Sequence, residues 1–311
     1  MKKAIMIDGG AGRVIAAIPA LIKYVKKNPD YDISILIGGW DTLLWGIPEL
    51  QDITYSFDTK GIFDNTIRLC DEVISPEPYR LPSYFNQKKS LVEAFDEAIN
   101  GTDDHSDLDV PTLVLNKGEE KAAAQLIAEA KAQQQKQKTI VIQPFGRSAN
   151  RVDQNDIIDD STRSIEPSVY LKLIKKLSTK YNIIFFGEEN FVVPGDDITS
   201  KPKGDLRLWA SIIEASDYFI GCDSLGQHMA RAFNKPGTVI MGSTYAINTT
   251  YPDFFNIYEK QGVTKKYSPI RMTGLDSHLA DRINDRCMDL SDDEVNELYA
   301  SIANDIEAKV K

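Results

Sequence analysis

Asp223, Ser224, Gly226 and His228 stand within one six-residue stretch, inside the segment YFIGCDSLGQHMARAFNKPGTVIMGST from Tyr218 to Thr244. Tyr218 to Gly221 reads as a buried strand. Asp223 and Ser224 are both good helix N-caps, and the ten residues after them carry helical periodicity through Met229, Ala232 and Phe233. Lys235-Pro236-Gly237 stops that helix, and Thr238 to Met241 is a second buried strand ending at Gly242-Ser243-Thr244. Two strand C-termini and one helix N-terminus then open on the same side. Free backbone N–H groups and the helix dipole both favour negative charge there. His228 follows Ser224 by four residues and shares its helix face. The chemistry these residues suit is the binding of phosphate.

A second set points the same way. The loop after Phe145 supplies Arg147, Ser148, Asn150, Arg151 and, at its far end, Arg163. Arginine presents a planar fork of donors that matches phosphate oxygens. The plain alternative is a solvated loop, just as Asp223-Ser224 could be an ordinary cap and His228 a satisfied helix histidine.

These residues need α/β units to hold them. Lys3 to Ile7 reads as a strand, Gly9 to Gly12 as a turn, Arg13 to Lys27 as an amphipathic helix and Ile33 to Ile37 as the next strand, a βαβ opening with a glycine loop. The stretch to about Asn100 is irregular and aromatic-rich, with Trp40, Trp45, Tyr79, Tyr84 and Phe85, residues that suit either a core or ligand-facing loops. A helix over Glu119 to Lys131 leads into the polar run 133–138 (QQQKQK), read as a connector. The second half restarts with strand Thr139 to Phe145, helix Ser168 to Thr179, strand Asn182 to Phe186 and helix Leu206 to Ala215. Alternation of this kind argues for parallel sheets. Ser291 and Glu294 form a capping box, and Val295, Leu298, Tyr299, Ile302 and Ile306 then line one helix face. The expected division is 1–136, 137–290 and a terminal helix over 291–311 packing back on the first domain.

Composition fits two such domains. The chain has 311 residues, 42% hydrophobic, with a formal net charge of −10, which disfavours wholesale binding to nucleic acid. No run of 18 apolar residues occurs, so no integral membrane segment is expected. Cys70, Cys222 and Cys287 are scattered and lack CxxC spacing. The simple inference is a reduced, cytoplasmic protein without structural zinc.

The order of these features resembles the heptosyltransferase group, glycosyltransferase family nine. Its glycine loop and Pro-Ala-Leu helix match Gly9 to Gly12 and Pro19-Ala20-Leu21. Its Asp-Ser/Thr-Gly-x-x-His, Lys-Pro and Gly-Pro-Thr signature matches DSLGQH, KP and GST, its basic residue ahead of a helix matches Arg163, and its Gly-x-Glu strand end matches Gly187 with Glu188 and Glu189. The resemblance spans about 8–300. It implies a GT-B fold, two Rossmann-like parallel-sheet domains facing a cleft, the first for the acceptor and the second for a nucleotide sugar. It further implies transfer of a sugar from a nucleotide diphosphate to an acceptor hydroxyl, inverting, with no metal and no cofactor beyond the donor substrate. Glu188 or Glu189 would hold the ribose hydroxyls.

Two departures stand out. Leu225 occupies the family's glycine, so that Gly226 is expected to shift the close backbone contact by one residue. Arg13 occupies the position of the family's catalytic Asp, and a cation cannot accept a proton. Asp8 and Asp41, at the ends of the first two strands, are then the candidate bases, and Arg13 could bind an anion. A GxGxxG dinucleotide loop is excluded by Ile15, and Asp107-Leu108-Asp109 reads as a solvated loop rather than a metal motif. A non-catalytic nucleotide-sugar-binding homologue and a GT-B-fold epimerase are the alternatives. Sugar and acceptor stay open: a glycan, a glycolipid or another hydroxyl-bearing group, a modified nucleobase included.

Overall fold

The computed structural model describes residues 1–146, 148–152, 157–159, 161–187, 199–200, 206–263, 266 and 288–310, with backbone only at Arg151, Thr199 and Ser200. They belong to two compact units, the first covering Met1–Asn116 and the second beginning at Lys117.

In the first unit, β1 (Lys2–Ile7), α1 (Ala11–Lys27) and β2 (Asp32–Ile37) form the expected βαβ unit, followed by β3 (Thr54–Ser56), α2 (Ile62–Asn65), β4 (Glu72–Ile74), α3 (Pro82–Phe85) and α4 (Leu91–Asn100). The sheet is parallel with order β3-β2-β1-β4. Helix α1 is buried at almost every position from Ala11 to Tyr24, because α4 covers the side that the sheet does not. Sequence reading left α4 inside an irregular stretch. Its signals were nonetheless present: Ser90 and Glu93 make a full capping box, and Gly101 ends the helix at φ +63. The aromatics of this region divide. Tyr84 is core, whereas Trp45 is exposed.

The acidic loop after α4 is more than a solvated turn. Lys23, on α1 and 6% exposed, bonds Asp96 at 2.8 Å and Asp107 at 2.6 Å, and Lys27 reaches the other Asp107 oxygen at 3.1 Å. Burial opposes the Lys23 charge, yet the bonds to Asp107 and Asp96 outweigh it and hold the ammonium above the ordinary lysine range. Asp107 therefore clamps its loop to α1.

The second unit contains α5 (Lys117–Gln134), β5 (Thr139–Gln143), the antiparallel pair β6 (Ala149–Arg151) and β7 (Ile157–Asp159), α6 (Pro167–Leu177), β8 (Asn182–Phe185), β9 (Thr199–Ser200), α7 (Leu206–Ala215), β10 (Tyr218–Cys222), α8 (Leu225–Ala232), β11 (Gly237–Met241), α9 (Ala246–Thr249), β12 (Asn256–Glu259) and α10 (Asp292–Lys309). Its parallel sheet runs β12-β11-β10-β5-β8-β9. The four central strands are buried at every residue, which is why they read as unbroken apolar runs.

Two boundaries differ from expectation. Helix α5 belongs to the second unit, so the division falls after Asn116 rather than after Lys136. Ala123, Ile127 and Ala130 are its buried positions, it packs on α7 and β8, and Glu119 grips Arg207 of α7 with both oxygens, at 2.6 and 2.7 Å. Nor is 133–138 a free connector. The Gln134 amide donates to the Ile183 carbonyl at 3.0 Å and accepts from the Ile183 N–H at 2.7 Å. The terminal helix α10, expected to pack back on the first domain, belongs to the second unit and packs there on α6, β11 and β12. Val295, Leu298, Ile302 and Ile306 join the core of Leu173, Ile174 and Leu177, and Tyr218 donates to Asp305 at 2.6 Å.

Candidate functional site

In the second unit, the C-terminal ends of β5, β10 and β11 meet at the start of α8. Gln143, the last residue of β5, sets the geometry: its Oε1 accepts the Gly226 N–H at 2.8 Å, and its Nε2 donates to the Phe145 carbonyl at 3.2 Å. This overturns the expectation for Gly226. A Cβ there would lie 2.2 Å from Gln143 Oε1 and 2.7 Å from the Phe219 ring, so glycine is required by packing from inside and its amide is already used. Ser224 is the N-cap residue, but its own side chain makes no capping bond; Gln143 takes one first-turn amide from outside the helix. The amides flanking Gly226, those of Leu225 and Gln227, are the ones the first turn leaves for an anion.

Asp223 is not a cap either. Its buried carboxylate accepts from Gln227 Nε2 at 2.9 Å and from Thr244 Oγ1 at 2.8 Å, tying the helix start to the end of β11. His228 is 7% exposed, and its Nδ1 lies 2.8 Å from the Tyr251 hydroxyl. Burial pushes its pKa down to about 4, Arg163 adding to the effect and Asp223 opposing it. The imidazole is therefore neutral at pH 7.

Arg163 is delivered by a loop whose organiser, Asp159, sequence reading missed. The Asp159 carboxylate accepts from the hydroxyls of Ser161 and Ser164, each at 2.5 Å, and from their backbone N–H groups at 2.8 and 2.9 Å. Burial works against the Asp159 charge, but the Ser161 and Ser164 bonds prevail and hold its carboxylate below the usual range. The spacing Asp159, Ser161, Ser164 is the signal that could have found it. Thr162 sits at φ +56, a strained conformation for a β-branched residue, and is held by Ser243, whose hydroxyl accepts from Thr162 Oγ1 at 2.7 Å and donates to the Thr162 carbonyl at 2.8 Å. Arg163 acts electrostatically on Asp159, Cys222 and His228, which places its charge beside the β10 end and α8.

Ser148 is exposed at the start of the β6–β7 hairpin. Gly187 lies two residues beyond β8, where a Cβ would strike the Phe185 ring at 2.3 Å. Arg147, Glu188, Glu189 and the Arg151 side chain lie outside the described residues.

In the first unit, Ile7 of β1 pairs with Ile37 of β2, so Asp8 and Gly38 leave the same sheet edge. Arg13 is 6% exposed. It donates from Nε to the Asp8 carbonyl at 3.1 Å, lies 3.5 Å from Asp8 Oδ1, and donates to Glu77 Oε1 at 2.9 Å, while Tyr79 and Phe95 cover its guanidinium. Its cation is thus spent inside the unit, and the half-exposed Asp8 is what it positions. Glu77, 64 residues away in sequence, is the partner that sequence reasoning did not find. Asp41 opens a short 3-10 helix, Asp41–Leu44, and the neighbouring Trp40 donates to the Gly9 carbonyl at 3.0 Å. Among the described residues no three His, Cys, Asp or Glu side chains group as metal ligands, and no helix is long and apolar enough to cross a membrane.

Two parallel-sheet α/β units of this kind make the fold that of the GT-B glycosyltransferases. Neither a protein-family model nor a curated protein matches the chain. Solved structures do. The chain is similar to a family 9 glycosyl transferase from Veillonella parvula, with a TM-score of 0.61 at 12% identity over 84% of this chain and 87% of that one. It is similar also to the E. coli ADP-heptose lipopolysaccharide heptosyltransferase II, TM-score 0.59, 15% identity, 96% and 99% covered. The E. coli heptosyltransferase WaaC, solved with ADP, gives 0.52 at 13% identity over 86% and 97%. The fold expected from the order of motifs is the fold found.

Proposed function

We propose that this protein is a glycosyltransferase that moves a sugar from a nucleoside-diphosphate sugar to an acceptor hydroxyl, with inversion. The second unit holds the donor, and the first provides the acceptor and the base. One observation carries this reading: a helix N-terminus that Ser224 leaves without a capping bond, braced by Gln143 and Asp223, beside the charge of Arg163 on its Asp159-built loop. It occurs on a fold shared with a protein solved with ADP.

The acceptor hydroxyl gives its proton to Asp8, its oxygen attacks the anomeric carbon, and the bond to the diphosphate breaks through an oxocarbenium-like state. Charge grows on the departing diphosphate. Arg163 and the α8 amides stabilise it, a task in which one such donor is typically worth about 2.7–4 kcal/mol. No metal or cofactor is required by this scheme, since the cation and the helix dipole do the neutralising. Asp8 is preferred over Asp41 because Arg13 fixes it at the glycine loop.

The test is release of free nucleoside diphosphate from a panel of nucleotide sugars, with and without acceptor. Acceptor-dependent release supports transfer. Binding without release supports a non-catalytic homologue, for which the Arg13 substitution provides the opening, and conversion to an epimeric nucleotide sugar supports an epimerase.

A further inference from the structure

His228 and Tyr251 form a pair that the phosphate argument does not use. The Tyr251 hydroxyl lies 2.8 Å from His228 Nδ1, and the rings meet edge to face at 5.6 Å and 83°. Tyr251 is itself held: Phe255 packs edge-on at 6.0 Å, and Arg231, 5.9 Å from the Tyr251 ring, is anchored over Phe254 at 4.5 Å and on Asn234 at 2.6 Å. The phenol therefore cannot swing away without disturbing three neighbours.

A neutral imidazole has one N–H and one lone pair, and the partner of one nitrogen decides which is which. Burial drives the Tyr251 hydroxyl pKa up, so it keeps its proton. The phenolic hydrogen is a stronger donor than an imidazole N–H, and an imidazole nitrogen is a stronger acceptor than a phenol oxygen, whose lone pair is shared with the ring. The better pairing has Tyr251 donating to Nδ1. The hydrogen of His228 is then on Nε2, which points away from Tyr251 and which no described residue bonds. The other ionisable groups acting on the imidazole are Asp223 and Arg163, both at the proposed donor site.

We propose that Tyr251 is a positioning residue: it locks His228 as the Nε2–H tautomer, so that a neutral histidine presents a hydrogen-bond donor to a phosphate oxygen at the start of α8. The lock matters because the opposite tautomer would turn a lone pair toward an anion, exchanging an attraction for a repulsion. This inference rests on the donor-site reading given above, and its experiment separates the two.

The 311-residue protein labelled with 15N-histidine carries only three histidines, so the His228 ring can be assigned by comparison with His228→Gln. At pH 7 and without ligand, Nε2 of His228 should give a protonated, pyrrole-type signal and Nδ1 a pyridine-type one. In Tyr251→Phe, which keeps the ring packing and removes the hydroxyl, both signals should move toward the average of two tautomers. ADP, UDP and GDP are then titrated by calorimetry, and the best of them should bind Tyr251→Phe about tenfold more weakly, the scale of one oriented bond to a charged group, with the melting temperature changed by only about a few degrees. A pyridine-type Nε2 in the wild type overturns the proposal, as does an unchanged spectrum and affinity in Tyr251→Phe. Failure of the wild type to bind any of the three nucleotides overturns the donor-site reading and the ligand assigned to His228, whereas the tautomer spectrum stands or falls by itself.

Discussion

At the scale of single residues, the site separates groups that hold from groups that act. Asp223, Gln143 and Asp159 hold: each has its polar atoms committed to a helix start or a loop. Arg163 and Asp8 are the groups proposed to act, on the donor phosphate and on the acceptor hydroxyl. Replacing Arg163 by Ala should weaken nucleotide-sugar binding about tenfold or more, the usual effect of losing a charge-assisted bond, while the circular dichroism spectrum is retained. Asp8→Asn keeps shape but cannot take a proton. It should lower transfer about 100-fold or more and spare donor binding, as measured by turnover beside calorimetry. Wild-type turnover in Asp8→Asn would remove it as the base. His228 makes a separate claim on pH. Its ordinary pKa of 6.5 falls to about 4 in the folded chain, so between these values the unfolded chain binds the extra proton and stability is lost as the pH falls. Stability from this group is complete above pH 6.5 and lost down to about pH 4, a loss on the order of 3 kcal/mol. Thermal melts of His228→Gln should therefore show a shallower pH slope in that window than the wild type. Which of these residues were legible in sequence follows from range. Asp223, Ser224 and His228 lie on one local strand-to-helix turn, and local spacing revealed it. The pairing of Arg13 with Glu77 spans 64 residues, and no local pattern encodes it.

At the scale of elements, the start of α8 shows why a glycine's presence does not state its purpose. Gly226 looked like a point of close ligand approach, but Gln143 and Phe219 occupy the space where a Cβ would go. Gly226→Ala must displace one of them and should destabilise the protein by about 1–3 kcal/mol, read from the melting temperature, with weaker nucleotide binding following from the shifted helix. Normal stability and normal binding in this variant would contradict the bracing described. The α1–α4 contact carries a comparable prediction. Asp96 is fully buried and shares Lys23, His105 and Asn100. Asp96→Leu leaves the Lys23 ammonium with one partner less in a dry environment, and should cost about 3–5 kcal/mol in denaturant unfolding. Helices with a strong cap or an apolar stripe were readable in advance, α10 among them. What α10 packs against was not, because a stripe states that a face is covered and not by what.

At the scale of the whole molecule, the chain is two α/β units whose division lies at Lys117. The sequence reading placed it 20 residues later because α5 buries little: a helix with three buried positions looks like a solvated spacer until Glu119 is seen gripping Arg207. A fragment beginning at Lys117 should unfold cooperatively, and one beginning at Gln137 should be markedly less stable, since it strips the cover from α7 and β8 and leaves the buried Arg207 charge without its carboxylate. The central claim is that the second unit is a donor site for a nucleoside diphosphate. Calorimetric titration of the 311-residue wild type and of Arg163→Ala with ADP, UDP, GDP and their sugar conjugates tests it most directly. The account predicts one nucleotide that binds the wild type at a single site, is shared by its sugar conjugate, and loses about tenfold or more of its affinity in Arg163→Ala. Absence of binding to the wild type by every nucleotide, or equal affinity in the two proteins, would contradict it.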